Sequence, residues 1–429
     1  MKIGIIGAGF TGLSAGYYLT KLGHDVTIFE KDPQPGGLAI GYREKGWQSP
    51  LEEHYHHWFI NDNSAIELAK EIEHEVIIKT PKSSFYVNGK SYQFDSPFSM
   101  LTFPKLPLID KIRMAAIFAI LFRFNPFWKI LEGFKIATTI PILIGEKAYK
   151  LLWEPQLINK MGEYAKNISL VWFWARIRKR TKSLAYPRDG FLSFAKHIAK
   201  HIAINKGEMI YKTEVYKLLE NNNKSLSIFT KDRHGRGGKF LFDKVIVTLP
   251  THLFLNITPQ LSQAYKNLFE PLDGLAATNM VLRLRKPFFK DKTYWLSICE
   301  ANSPILVVIE HTNFIDKKHY NDEHIVYLGN YLKSTDKNFI KNKEDLLKIY
   351  DSLLIKINPE YKKNIIDYRV FRAHFAQPII PLNYSKIIPP NTTPLQNVFL
   401  ANMQQVYPWD RGTNYAIEAG KNIARSILR

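Results

Sequence analysis

The chain has 429 residues, 45% of them apolar and 13% aromatic, enough for two or three domains around a large core and incompatible with a mainly disordered protein. Its 59 Lys and Arg against 39 Asp and Glu leave a formal charge of +20, which either favours anionic partners such as acidic lipid or phosphorylated substrates, or is lysine scattered over a solvated surface. No nucleic-acid-binding motif is present, so nucleic acid is not an expected partner. The single cysteine, Cys299, excludes an internal disulfide, and no secretory signal precedes the first strand, which points to a reducing, cytoplasmic setting. No apolar run reaches the length needed to span a bilayer.

The first 38 residues hold the clearest motif. Lys2 to Ile6 is a short apolar strand that ends directly in Gly7-Ala8-Gly9-Phe10-Thr11-Gly12. A helical pattern follows, containing Leu13, Tyr17 and Leu19 and stopping at Gly23, and a second strand, Val26 to Phe29, ends at Glu30 and Lys31. Strand, G-x-G-x-x-G turn, helix and a terminal acidic residue make a dinucleotide fingerprint. Gly7 makes the turn, Gly9 clears the backbone for a pyrophosphate, and Gly12 lets helix and strand pack closely. The amides and dipole at the helix start hold the diphosphate, and Glu30 stands where a carboxylate accepts hydrogen bonds from a ribose. Six residues later come Gly36 and Gly37, followed by Leu38.

This run from Gly7 to Leu38 resembles the FAD-binding signature of the flavin amine oxidase superfamily, which includes protoporphyrinogen oxidases and phytoene desaturases. The resemblance implies FAD, bound non-covalently, along Gly7, Gly9, Phe10, Thr11, Gly12, Glu30, Lys31, Gly36, Gly37 and Leu38. In the family the second glycine pair lies near the inner part of the cofactor and is usually followed by an arginine. Here Leu38 takes that place, and Arg43 is a poor substitute on spacing.

Glu52 to Trp58 reads Glu-Glu-His-Tyr-His-His-Trp. In an extended segment His54 and His56 share one face, an arrangement that could hold a metal, shuttle protons, or simply bond to backbone in a buried aromatic strand. His54, His56 and His57 are the catalytic candidates of this half, and no metal is expected. Asn63 to Glu73 is a short amphipathic helix that Asn63 or Ser64 would cap. Phe85 to Tyr92 is a hairpin turning on Asn88-Gly89.

From Phe98 to Trp174 the chain becomes aromatic, helical and poor in acid. Ile112 to Phe124 is apolar on nearly every side, with Arg113 and Arg123 near its ends. It is too short to span, and either lies in a membrane interface with its basic residues on anionic head groups or forms a buried lid over a ligand channel. Protoporphyrinogen oxidases, which the chain resembles, carry a membrane-facing helical domain at about this place.

Tyr186 to Phe191 is similar to the family's Tyr-Pro-x-Gly-Gly segment and leads into a helix ending near Gly207. Glu208 to Val215 is expected as one strand, and the resemblance makes Val215 a contact of the adenine. Val245 to Val247 is a buried strand of parallel type, and the glycines from Gly235 to Gly238 are a turn. Asn279 to Leu284 and Ile305 to Glu310 read as strands of a second sheet covered by a helix from Glu344 to Ile357. Cys299 does not resemble the family's covalent flavin sites.

The chain closes with strand Asn397 to Asn402, a turn through Tyr407-Pro408-Trp409-Asp410-Arg411, and a helix beginning near Gly412. Its layout matches the family's C-terminal flavin motif, with Asn402 where an acidic residue is usual. The resemblance makes Asn402, Arg411, Gly412, Thr413 and Asn414 cofactor contacts.

The expected fold is α/β: a Rossmann-type FAD lobe (residues 1–60, 192–260 and 391–429) interleaved with a mixed-sheet substrate lobe (61–97 and 261–390) and a helical cap (98–191). The expected chemistry is dehydrogenation of a large amphipathic or isoprenoid-like small molecule by hydride transfer to flavin, either free in the cytoplasm or peripherally on an anionic inner membrane face. Two rivals remain. One is a non-oxidative flavoenzyme resembling UDP-galactopyranose mutase, with Arg176, Arg178, Arg180 and Arg372 available for a diphosphate. The other is an escort protein that keeps the fold without using flavin, and the intact glycine fingerprint opposes it.

Overall fold

The computed structural model describes residues 1–428. Its first lobe is built on a five-stranded parallel sheet in the order Glu208–Ile210, Asp25–Phe29, Lys2–Ile6, Lys244–Val247, Val398–Leu400. These strands are runs of Val and Ile because both faces are covered. On one face lie the helices Phe10–Lys21, Gly190–Ile204 and Thr413–Ser426. On the other lies a three-stranded antiparallel sheet, Thr213–Glu220, Leu226–Asp232 and Gly237–Phe242, whose Leu218, Ile228 and Phe242 pack with Ile6, Phe29 and Val247.

The helix Phe10–Lys21 sits closer to its neighbours than a side chain would allow. A Cβ on Gly12 would stand 2.0 Å from the Gly7 carbonyl oxygen, and one on Gly420 of the last helix 2.3 Å from the Thr11 carbonyl oxygen. Backbone therefore meets backbone on both sides of its first turn, and the two chain ends are locked together there.

The second lobe is a seven-stranded mixed sheet in the order Ile365–Pro378, Gly274–Leu284, His324–Leu332, Val307–Glu310, Thr293–Ile298, Lys82–Val87, Lys90–Gln93. All neighbours are antiparallel except Lys82–Val87 beside Thr293–Ile298. The helix Lys343–Ile357 covers one face, burying Leu346, Tyr350, Leu353 and Leu354 against Met280, Leu282 and Leu328. The other face shares a core with the first lobe through Tyr294, Ile309, Ile325 and Tyr327.

Short helices between Pro97 and Lys179 form the cap, packed around Met114, Phe122, Ile140, Leu152, Met161 and Phe173. Leu108–Ile117 runs on into a wider-turned helical stretch, Phe118–Phe124. Among the described residues no helix is long and apolar enough to cross a membrane.

Three local expectations change. The strand expected from Glu208 to Val215 is broken at Lys212, whose φ is +55°, so Glu208–Ile210 joins the parallel sheet and Thr213–Glu220 the antiparallel one. The helix expected from Asn63 to Glu73 ends at Glu71, and neither Asn63 nor Ser64 caps it. Asn414 Oδ1 instead accepts from the Ala65 amide at 3.0 Å, a cap supplied from the far end of the chain.

Candidate flavin and substrate site

The two glycine motifs of the N-terminal segment are in contact. Gly36 donates its amide to the Ala8 carbonyl at 3.0 Å, and a Cβ on Gly37 would stand 3.0 Å from Gly9 Cα. Gly36 and Gly37 have φ of +132° and +57°, which side chains rarely adopt. The first intrahelical bond runs from Leu13 to the Gly9 carbonyl, so the amides of Phe10, Thr11 and Gly12 lie before it, with no acidic residue in that turn. The helix start is thus a cradle for a diphosphate.

Glu30 is 7% exposed. Its carboxylate accepts from the Ala8 amide at 2.7 Å and the Asp32 amide at 3.0 Å, while burial raises its pKa. Each oxygen keeps a further lone pair for a ribose hydroxyl. Lys31 is exposed beside it, and Thr213 donates to the Glu30 carbonyl at 2.9 Å, which brings the strand of Val215 alongside. The second helix start is that of Thr413–Ser426, with Gly412 before it and again no acid in its first turn. Donor sets at both helix starts, and a glycine floor between them, fit the FAD that the sequence implies.

Asn402 is placed differently from a cofactor contact. Its Nδ2 donates to the Leu249 carbonyl and Thr251 Oγ1, and its Oδ1 accepts from the Gln404 amide. Its side chain is spent on holding the strand end. Leu38 lies in a short helical turn, Gly37–Ala39, and Arg43 donates to the Trp47 carbonyl.

The first and last segments are tied together directly. Trp58 Nε1 donates to Thr413 Oγ1 at 2.6 Å, next to the Asn414 cap described above. The residues Glu53 to His57 are deep in the molecule yet each keeps partial exposure, so they face an interior opening. His56 Nδ1 contacts the His54 carbonyl at 2.6 Å, and His57 Nδ1 contacts the Tyr294 hydroxyl at 3.2 Å. The His54 ring has no hydrogen bond among the described residues. Burial holds all three neutral, His54 and His57 at about 3 and His56 at about 4, with His56 and Arg411 adding to the effect on His54. Arg411 is therefore close to His54 and His56, whereas His57 turns toward Tyr294, Trp295 and Arg180. The three imidazoles do not converge as a metal-ligand set, and among the described residues no such set occurs.

Near this segment the cap and the turn before the last helix bring charged groups together, among them Lys160, which the sequence does not reveal. Asp410 Oδ2 lies 3.0 Å from Arg176 NH1 and 3.9 Å from Lys160 Nζ, and the neighbouring Arg411 donates to the Tyr331 hydroxyl. Lys160 falls among the buried residues of its helix, Leu157 and Met161, where a sequence pattern reads it as a flanking surface charge. Glu52 is also buried, accepting from the Tyr186 hydroxyl and the Phe191 amide at 2.7 Å, with burial pushing its pKa up to about 7. Cys299 is a buried thiol with its pKa raised by burial, a packing residue.

The model of the flavin containing amine oxidoreductase family matches residues 10–428. The chain belongs to this family. The family is one of flavin-containing oxidoreductases, which makes FAD the cofactor, and the cradle described above is where the chain would hold it. Among curated relatives, it is 26% identical over 223 residues to an uncharacterised protein of Methanocaldococcus jannaschii, covering 51% of this chain and 53% of that one. It is 25% identical over 325 residues to coproporphyrinogen III oxidase of Staphylococcus aureus, covering 66% and 67%. The chain thus spans about half the length of the first of these relatives. Among solved structures, an oxidoreductase of Methanosarcina mazei superposes with a TM-score of 0.77 at 20% identity over 99% and 100% of the two chains. A reduced UDP-galactopyranose mutase gives 0.77 at 16% identity over 100% and 95%. At these identities the structures share the fold.

The buried histidines set a pH dependence. His54, His56, His57 and His311, the last held at about 3, refuse protons in the folded state that the unfolded chain binds below its ordinary imidazole pKa of about 6.5. Their contribution is present above that pH and is lost as pH falls through it, by ~1.4 kcal/mol per pH unit for each histidine. Glu52 acts in the opposite sense between its unfolded and folded values. The midpoint of thermal unfolding should therefore fall as pH drops from 6.5 to 4.5, and His311→Gln should flatten that slope. A slope left unchanged by His311→Gln would contradict the neutral burial of that imidazole.

Proposed function

We propose that this flavoenzyme dehydrogenates a large amphipathic or isoprenoid-like substrate whose apolar part enters from a membrane surface. The observation that supports this reading is the cap. Its inner side packs Trp172, Phe173 and Trp174 toward the site, while its outer side leaves large apolar residues bare. Phe98, Ile109, Ile120, Phe124, Phe127, Ile130 and Ile142 are each between 67% and 76% exposed. Ile109, Ile112, Ala116 and Ile120 are all exposed at helical spacing along one face, so the helix is apolar toward solvent as well as toward the core. Lys105 and Lys129 are exposed in the same region. Exposed apolar surface with basic residues around it fits an anionic lipid interface on the cytoplasmic side. Arg113 and Arg123 are exposed in the same region and also donate to the backbone carbonyls of Leu143 and Arg178.

FAD, when bound, supplies the two-electron acceptor. The amides of Phe10, Thr11 and Gly12 would hold its phosphates, those after Gly412 the flavin O2 or the phosphates, and Glu30 a ribose. A C–H bond that loses a hydride leaves a proton to be taken, and His54 is the group in place for it, since its ring is free of hydrogen bonds within the protein. Burial makes it a weak base in this state, and an anion that neutralises nearby Arg411 strengthens it. A second reading, a non-oxidative enzyme acting on a phosphorylated sugar, is favoured by the cationic groups at Lys160, Arg176 and Arg180. It shares the cofactor but needs no net electron transfer.

Two experiments test these readings. In anaerobic mixing, a true amphipathic substrate should bleach the oxidised flavin, and His54→Ala should slow that step about a hundredfold with FAD occupancy unchanged. Turnover of a nucleotide sugar by pre-reduced protein, with no change in flavin state, would give the second reading its place. For the surface, cosedimentation with anionic liposomes should be lost in a protein carrying Ile120→Glu and Phe127→Glu, both at exposed positions. Equal recovery in the supernatant with and without liposomes would refute the membrane approach.

A further inference from the structure

We propose that Lys160, Arg176 and Arg411 form an anion-binding subsite in the substrate pocket, so that the substrate presents a carboxylate or phosphate there and not an amine. The inference deepens the reading of this pocket as the substrate site and rests on it. Its starting point is a charge imbalance. Lys160 comes from the cap helix Glu154–Met161, Arg176 from the helix Leu170–Lys179, and Arg411 from the segment before the last helix. Two rings carry the three cations side by side. Lys160 Nζ lies 5.0 Å from the centre of the Trp172 ring and the Arg176 guanidinium 4.8 Å from the same ring. Lys160 Nζ also lies 5.3 Å from the Tyr331 ring, as does the Arg411 guanidinium.

One carboxylate faces this group among the described residues. Asp410 meets Arg176 and Lys160 through Oδ2, and through Oδ1 it accepts from Gln377 Nε2 at 3.3 Å and the Arg411 amide at 3.0 Å. Arg176, 40% exposed, is paired with Asp410 at 3.0 Å, so the buried Lys160 and the part-buried Arg411 share a carboxylate that is already engaged. Lys160 is the sharpest case. Its side chain is 9% exposed, and its ammonium, with three donors, makes no hydrogen bond among the described residues. Arg411 Nε is likewise buried without a partner. Ring faces attract a cation but do not neutralise it, and buried charge without a counter-ion is an unstable arrangement unless a ligand completes it.

The surroundings agree. Burial pushes the Lys160 amine well below its ordinary value, Arg176 pushes it further, and Asp410 only partly opposes them. Arg180 lies near Arg176 but is exposed, so it adds positive charge beside the cluster without belonging to its buried part. An oxyanion at the centre would find Lys160 and Arg411 donors that the protein leaves free. A substrate ammonium would meet like charge, and the aromatic faces that would cage it already hold the protein's own basic groups. This chain is therefore set against the amine that its family's description names.

The test uses oxidised, FAD-loaded protein titrated with octyl phosphate, octanoate, octylamine and inorganic phosphate, read by perturbation of flavin absorbance and by the shift in Tm. Octyl phosphate or octanoate should change both signals, and octylamine neither. Inorganic phosphate in place of octyl phosphate separates recognition of the bare anion from recognition of an anionic amphiphile, and either result keeps the subsite. Lys160→Met should weaken the responding anion about tenfold or more, Lys160→Arg should retain most of the affinity, and the exposed Lys150→Gln should change nothing. Octylamine binding as tightly as octyl phosphate, or full anion affinity in Lys160→Met, would overturn the proposal. Should Lys160→Met fail to fold, Arg176→Gln and the selectivity of the unaltered protein decide it. No turnover is needed, so a substrate that fails to reduce the flavin refutes the dehydrogenase reading and leaves the subsite standing.

Discussion

The structure depends on a backbone contact at the first turn of one helix. Gly12 presses on the Gly7 carbonyl and Gly420 on the Thr11 carbonyl, at distances where any side chain would collide. This fixes the start of the helix Phe10–Lys21 against the parallel sheet and fixes the last helix against it in turn. Two helices from opposite ends of the sequence are thereby held side by side, with the free amides of their first turns available to an anionic cofactor. The Trp58 to Thr413 hydrogen bond and the Asn414 cap on Ala65 then draw the histidine segment to the same point.

What the sequence reveals follows from how local the cause is. The strand, glycine turn, helix and acidic residue of the first 38 positions are legible because each is set by its neighbours, and Glu30 lies where the spacing puts it. The hairpin at Asn88-Gly89 is legible for the same reason, both residues having positive φ. The break at Lys212 is not, because it arises where the chain leaves one sheet for another. Neither is the cap on the helix after Asp62, whose acceptor comes from Asn414. Asn402 stands at a family cofactor position, but its amide is used three times within the protein, a commitment visible only once Leu249 and Gln404 are beside it.

The site's electrostatics are the least legible part. Lys160 reads as an ordinary helix lysine until the fold buries it between Trp172 and Tyr331. The histidines at 54, 56 and 57 stand out in the sequence, but their neutrality is a consequence of depth, and the neighbour that sets His54 and His56 apart from His57 is Arg411. The cap shows the converse: its apolar composition is plain from the sequence, while only the fold shows which residues, Ile120 and Phe127 among them, stay bare. The fold thus sets neutral imidazoles at 54 and 56 near Arg411, with Lys160 and Arg176 beside it, under a cap whose outer side is apolar.

The central claim is that both chain ends converge on one FAD. Its most direct test is the flavin content of purified protein after reconstitution, measured by absorbance and by release in acid, beside the Gly9→Asp variant. A Cβ at Gly9 meets nothing closer than Gly37 Cα at 3.8 Å, so that variant has room to fold, while its carboxylate would face the diphosphate. The account predicts one releasable FAD per chain in the unaltered protein and none in a folded Gly9→Asp. A protein that takes up no FAD, or a folded variant that binds it fully, would contradict it.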